Sequence, residues 1–173
     1  NLNQLSSQLN KALTTVYLLS GDEDLLVQEA RDQIKTKARQ LGFEQTELHS
    51  TTAGFKWSEL ISMADSGQLF AEKKIIDIRN SKGKFDLATQ KTLNQYADNP
   101  NPDTLIIIST TKLTPSQKNS KWLKKLSQTG LIVSIWPISA AELPQWIYQR
   151  MQQENITADR ESIEMLAHYS EGN

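Results

Sequence analysis

The chain has 173 residues, of which 38% are apolar, and its 19 basic and 20 acidic residues are interspersed, which is typical of a folded globular protein. The net charge of −1 argues against a domain that binds nucleic acid through its overall charge, and the absence of cysteine excludes disulfides, thiolate catalysis and cysteine-ligated zinc. No apolar run is long enough to span a bilayer and no secretory signal is visible, so we expect a cytoplasmic protein that contacts no membrane.

Short β-type runs alternate with amphipathic segments, a pattern that is typical of a parallel sheet with helices on both faces. The first strand, residues 16–19, is followed by a helix whose apolar residues recur at steps of three and four until Gly42 ends it. Further strands are predicted over residues 43–49, 74–78, 104–109 and 131–136. Further helices are predicted over residues 57–65, 85–97 and 114–130. The sequence therefore predicts an α/β domain with five strands.

After Pro137 the pattern changes to helices. The run from Ser139 to Glu142 is typical of a helix start with a capping acid, and a second helix begins near Thr157. We place a domain boundary near Ile138. Residues 1–138 form the α/β domain, and residues 139–173 are the start of a small helical domain.

The turn after the first strand is where this architecture usually binds phosphate. A P-loop that begins at Gly21 needs Gly, Lys and Ser or Thr at the positions of Leu26, Val27 and Gln28. The acids at positions 22–24 would repel a triphosphate, and they suit the positive end of a helix dipole. The sequence therefore disfavours nucleotide binding here, and a degenerate P-loop-like NTPase stays open as an alternative.

No catalytic or metal-binding pattern is visible in the sequence. No serine in a nucleophile-elbow setting lies near His49 or His168, and the acidic residues near the C-terminus have the spacing of a solvated helix face. We therefore expect no catalytic residue, no metal and no cofactor.

The stretch SGQLFA, residues 66–71, places two bulky apolar residues, Leu69 and Phe70, between a predicted helix and the third strand. The local pattern leaves two interpretations open. The pair fills a gap in the core, which the local pattern favours, or it faces a partner at an element junction.

Lysines cluster in the helix predicted after the fourth strand. Lys118, Lys121 and Lys125 share one face of that helix, opposite Trp122, and Lys112 lies nearby in sequence. Such a stripe is usually a solvated face, and the alternative is contact with DNA or an acidic partner.

Several stretches, in order along nearly the whole chain, resemble the delta subunit family of the bacterial DNA polymerase III clamp loader. They are VYLLSGDE at 16–23 followed by a long helix, LFAEKKII at 69–76, KL at 112–113 and LAHYSEGN at 166–173. The resemblance implies an AAA+-like domain over residues 1–138 without a functional P-loop, the beginning of a lid domain over 139–173, and a collar domain that is missing from this chain.

The resemblance also implies a function. Such a subunit does not hydrolyse ATP and needs no cofactor. It binds the ring-shaped sliding clamp, which is the beta subunit, and opens the ring for loading onto primed DNA. Its other partners are the ATP-hydrolysing loader subunits and delta-prime, with primed DNA contacted indirectly. The subunit thus belongs to a nucleotidyltransferase holoenzyme without being catalytic itself.

The family's clamp-binding motif matches Leu69 and Phe70, with Ser66, Gly67 and Gln68 at the upstream positions. Clamp-binding peptides favour glutamine where Ser66 stands. Leu69 and Phe70 are the expected anchors, because full burial of each side chain contributes roughly 1.5–3 kcal/mol and interfaces concentrate their energy in such residues.

Overall fold

The computed structural model describes residues 2–52, 55–65 and 72–170. The strands β1 to β5 are Val16–Ser20, Gln45–Ser50, Lys74–Asn80, Thr104–Thr110 and Leu131–Ser134. The helices α1 to α8 are Leu2–Lys11, Asp24–Gln40, Trp57–Asp65, Leu87–Asp98, Pro115–Lys118, Lys121–Leu126, Leu143–Gln153 and Arg160–Ser170.

The strands form one five-stranded parallel sheet in the order β2-β3-β4-β1-β5, which confirms the predicted α/β class. After β1 the chain crosses to the edge strand β2, returns through β3 to β4, and then passes β1 to reach β5. The connections that leave β1 and β4 therefore run in opposite directions. Parallel sheets bind their ligands at such a switch point, outside the carboxyl ends of the two strands.

Each face of the sheet packs against its own helices. On one face, alternate strand residues such as Leu18, Ile76 and Ile106 form a core cluster with residues of α3, α4 and α6. The other alternate residues face α2, because Asp77 of β3 pairs with Lys35 of that helix. Every residue of β1 and β4 is buried, as expected for strands covered on both sides.

Aromatic rings connect the helices of the first face. The ring centroids of Phe55 and Trp57 lie 5.3 Å apart, those of Trp57 and Phe85 5.9 Å, and those of Phe85 and Trp122 5.1 Å. This row of rings spans the start of α3, the loop before α4, and α6. Large aromatic side chains bury much apolar area, so the row contributes strongly to the core.

Two elements differ from the expectation. The helix predicted over residues 114–130 is two short helices, because Thr114 caps α5 through a capping box with Gln117 and Ser120 is the N-cap of α6. The first helix, α1, was not predicted at all, although Leu5 and Leu9 lie one turn apart and are both buried. Strand β2 has an exposed and half-buried pattern that suits its place at the edge.

The chain forms two compact units, Asn1–Trp136 and Pro137–Asn173. In the second unit α7 packs against α8, and Leu143 and Ile163 are buried. Leu166 of α8 is 49% exposed. A unit of this size offers too little partner surface to cover a whole helix face. None of the helices in the described ranges has the length and apolar character needed to cross a bilayer.

Candidate functional site

A cavity of about 540 Å³ lies at the switch point of the sheet. Its walls come from the turn after β1, the first turns of α2, and the carboxyl ends of β3 and β4. It occupies the place where phosphate binds in this architecture, so the chemistry of its lining decides which ligand class fits.

The glycine in this turn has a packing role. The backbone N–H of Gly21 donates to the carbonyl oxygen of Thr110 over 3.1 Å, and a Cβ added at Gly21 would lie 2.6 Å from the carbonyl oxygen of Ile135. The end of β1 is therefore pressed between its two neighbours in the sheet, and no larger residue fits without a backbone shift.

Polar groups at the end of β1 hold the loop that follows β4. Oδ1 of Asp22 accepts a hydrogen bond from the backbone N–H of Lys112 over 2.8 Å, and Oγ of Ser20 accepts one from the N–H of Leu113 over 2.9 Å. Asp22 thus has a structural partner, which explains an acidic residue here without a bound ligand.

The residues at the P-loop positions do not provide phosphate chemistry. Leu26 and Val27 are 4% and 8% exposed on the apolar side of α2, and Val27 stands where the P-loop lysine belongs. In the ranges that the structure describes, His, Cys, Asp and Glu form no group of three that could hold a metal ion.

Sequence reasoning missed several residues of the cavity, among them Arg31, Ser109 and Thr110. Arg31 could have been recognised from its position four residues after Val27, because this spacing places its charged side chain on the buried face of α2. Ser109 and Thr110 could have been recognised as the last two residues of the apolar fourth strand, where the neighbouring strand β1 also ends.

The predicted clamp-contact residues, Ser66, Gly67, Gln68, Leu69 and Phe70, lie outside the described residues. The structure does describe both flanks of this segment. On one side, the carbonyl oxygen of Ala64 accepts hydrogen bonds from Asn101 Nδ2 over 3.0 Å and from Thr104 Oγ1 over 3.1 Å.

On the other side of the segment, Lys73 Nζ donates to the carbonyl oxygen of Leu41 over 3.1 Å and lies 5.3 Å from the ring centroid of Phe43. Gln45 Nε2 also donates to Oε2 of Glu72. Both flanks are thus tied to neighbouring elements by direct contacts.

The predicted lysine stripe is divided between two helices, because Lys118 belongs to α5 while Lys121 and Lys125 belong to α6. The expectation that all three share one helix face is therefore wrong. Lys125 Nζ lies 2.7 Å from Oδ2 of Asp98, and Lys121 is exposed.

A different basic cluster lies nearby. Lys112 Nζ and Lys118 Nζ lie 4.7 and 4.4 Å from the ring centroid of Trp136, whose side chain is half exposed. The sequence pattern had placed Trp136 in the fifth strand, but that strand ends at Ser134. The two ammonium groups and the indole ring form a cation–π cluster.

Comparisons with known proteins agree with one another. A family model described as DNA polymerase III, delta subunit, matches residues 17–135. The DNA polymerase III subunit delta of Escherichia coli is 29% identical over 170 residues, which are 98% of this chain and 50% of that protein. The protein of the same name from Haemophilus influenzae is 28% identical over 173 residues, with the same two shares. The chain spans about half the length of these curated relatives.

Two solved structures support the AAA+-like fold that the resemblance implied. The DNA clamp loader delta protein of Bacillus subtilis has a TM-score of 0.70 at 18% identity, over 96% of this chain and 51% of that one. A RuvB variant of Thermotoga maritima has a TM-score of 0.59 at 16% identity, over 99% of this chain and 56% of that one.

Proposed function

Because the chain belongs to the DNA polymerase III delta subunit family, we propose that it binds the sliding clamp during DNA replication and opens the ring without hydrolysing ATP. The family match to residues 17–135 is the observation that carries this proposal. Residues 1–138 form the clamp-binding domain and residues 139–173 begin the lid domain. The partners are the clamp, the ATP-hydrolysing loader subunits and delta-prime.

Leu69 and Phe70 are the anchors of this interaction in our proposal. The contacts on both flanks support it, since Ala64 is held by Asn101 and Thr104 while Lys73 is held by Leu41. A segment that begins and ends at fixed points loses less conformational freedom on binding than a free peptide does.

The mechanism needs no bond chemistry. A protein that binds the open or strained clamp more tightly than the closed clamp shifts the ring equilibrium toward the open state, by no more than the difference between the two affinities. The subunits that hydrolyse ATP control when the ring opens.

The test is a binding measurement with purified clamp. The double substitution Leu69→Ala and Phe70→Ala should weaken binding at least about a hundredfold, because two apolar anchors are lost. A matched control is Leu87→Ala with Tyr169→Ala, which removes one leucine and one aromatic ring that are 82% and 80% exposed. If the anchor variant binds like the control, Leu69 and Phe70 are not the contact residues.

The absence of ATP hydrolysis is proposed from the P-loop positions. Val27 supplies no cation for the β- and γ-phosphates, and the acids at 22–24 add like charge beside them. Hydrolysis of ATP by the purified chain, at a rate above that in buffer alone, would support the degenerate NTPase instead.

Contact with DNA is a second candidate function, favoured by the cluster of Lys112, Lys118 and Trp136. Ammonium groups beside a half-exposed indole suit phosphates and unstacked bases. In this proposal Lys118 carries the contact together with Lys121, while Lys125 is engaged by Asp98.

Fluorescence anisotropy with primed DNA tests this candidate. Binding should weaken with rising salt, and Lys118→Ala should weaken it by more than the exposed control Lys11→Ala does. If the two substitutions have equal effects, or if the affinity does not depend on salt, this cluster does not bind DNA.

A further inference from the structure

The turn between α2 and β2, residues 41–44, lies against the two residues that precede β3. Lys73 Nζ donates to the carbonyl oxygen of Leu41 over 3.1 Å, and a Cβ added at Gly42 would lie 3.8 Å from Cδ of Lys73. Gln45, the first residue of β2, donates through Nε2 to Oε2 of Glu72. Residues 72 and 73, which follow the stretch with the proposed clamp anchors, are therefore attached to this turn.

The turn is held in place by its own contacts. The backbone N–H groups of Leu41 and Phe43 both donate to the carbonyl oxygen of Ala38, over 2.9 and 3.1 Å. Gly42 has a φ of 89°, which residues with a Cβ rarely adopt. Phe43 is buried and joins the turn to the core. An exposed side chain on such a turn loses little conformational freedom when a partner covers it.

Leu41 is an apolar side chain that this turn exposes, to 46%. The Cα atoms of Phe70 and Glu72 are separated by two peptide units, which reach at most about 7 Å. A stable protein interface covers about 800 Å² on each partner, which is more than two anchor side chains provide. A partner that binds Phe70 therefore needs further contact area, and the turn beside Glu72 is close enough to supply it.

We propose that Leu41 is a further apolar contact of the sliding clamp, presented by the turn between α2 and β2. The inference rests on the proposed clamp binding by Leu69 and Phe70. It requires an apolar area on the clamp beside the surface that takes these anchors. Lys73 has a positioning role in this arrangement, because its side chain joins the end of the anchor stretch to the turn that presents Leu41.

The experiment measures binding of purified clamp to the full chain with Leu41→Ala. The substitution should weaken binding about fivefold, because a half-exposed leucine loses part of the apolar area that the complex buries. The matched control is Leu25→Ala, since Leu25 is 56% exposed in the first turn of the same helix. The two leucines lie about 24 Å apart along the helix axis, so Leu25→Ala should bind like wild type.

A second arm uses the absence of cysteine from the chain. The single variants Leu41→Cys and Leu25→Cys are treated with a maleimide, with and without clamp, and labelling of the chain is followed by mass spectrometry. The clamp should slow labelling at position 41, because the contact closes this position to the reagent. Labelling at position 25 should proceed at the same rate with and without clamp.

Failure of this contact differs from failure of the proposed function. If Leu69→Ala with Phe70→Ala weakens binding while Leu41→Ala binds like Leu25→Ala, clamp binding stands and the contact at Leu41 is overturned. Equal labelling rates with and without clamp at position 41 overturn it too. If the wild-type chain does not bind the clamp, the proposed function fails and the contact fails with it.

Discussion

At the scale of single residues, the sheet contains a charge that the sequence does not explain. Asp77 lies in the middle of β3 with a fully buried side chain, and its Oδ2 is 2.5 Å from Nζ of Lys35 on α2. Oδ1 of Asp77 has no hydrogen-bond partner in the described ranges. The stability of this carboxylate therefore depends on one lysine that is distant in sequence.

Removing that lysine should be strongly destabilising. Lys35→Met leaves the buried carboxylate without its partner, which typically costs about 3–5 kcal/mol in the free energy of unfolding. Urea denaturation measures the loss, and Lys124→Met, at an exposed position, is the control.

A double variant separates the charge from the packing. Lys35→Met with Asp77→Val replaces the whole pair by apolar side chains, and it should recover at least half of the lost stability. A double variant that is no more stable than Lys35→Met would show that packing, and not the unpaired charge, causes the loss.

At the scale of elements, local capping decides where several helices begin. Oδ1 of Asp86 accepts a hydrogen bond from the backbone N–H of Thr89 over 2.7 Å and so caps α4. Hydrogen bonds from the side chain and the backbone of Thr89 hold the pKa of the Asp86 carboxyl below its ordinary value of 3.8. The charged form of Asp86 is therefore favoured by folding.

This cap gives a pH-dependent prediction. Because the pKa of Asp86 is lower in the folded state, its contribution is complete above pH 3.8 and is lost as the pH falls through the lowered pKa. Asp86→Ala should lower Tm by a few degrees at pH 7, and the difference from wild type should shrink in acid.

Circular dichroism melts of both proteins at each pH measure this difference. Asp86→Asn is the control, since it keeps an oxygen that can accept the bond from Thr89 but does not titrate. A Tm difference for Asp86→Ala that stays constant into strong acid would contradict the assigned role of the carboxylate.

The elements also show how far the sequence predicts the fold. The strands β1 and β4 were predicted correctly because burial on both faces makes them short continuous apolar runs, and α2 because its buried residues recur at helical spacing. The division between α5 and α6 was missed, since Ser120 is an N-cap in a segment with continuous helical periodicity. Helix α1 was missed because its few apolar residues are separated by polar ones.

The site was less predictable than the fold. The missing P-loop could be recognised from Val27 and its neighbours, because that motif is contiguous in sequence. Arg31 of α2 and Ser109 and Thr110 of β4 line one cavity only because the sheet order brings the ends of these elements together. Their burial depends on contacts between distant segments, and residue type or spacing does not report it.

At the scale of the whole molecule, the two units differ in their capacity to fold. The five strands found in the described ranges all belong to the first unit, which therefore holds the sheet. The second unit has two helices of 11 residues each, with Leu143 and Ile163 buried. Isolated helices of this length are marginal in water, so the second unit depends on a small core.

A pair of fragments tests this difference. Residues 1–136 should unfold cooperatively in urea with the circular dichroism of an α/β protein. Residues 137–173 should show little helix and no cooperative transition. A cooperative transition in the shorter fragment, or its absence in the longer one, would contradict the division of stability between the units.

The position of β1 in the sheet has a consequence for biosynthesis. Tyr17 pairs with Ile107 on one side and with Leu131 on the other, so a strand that is synthesised early has two neighbours that are synthesised late. The nascent chain therefore exposes the apolar run of β1 while most of the first unit is still being translated. Slow translation between β4 and β5 would prolong this exposure, and a chaperone that binds apolar segments would protect the chain until the last strand emerges.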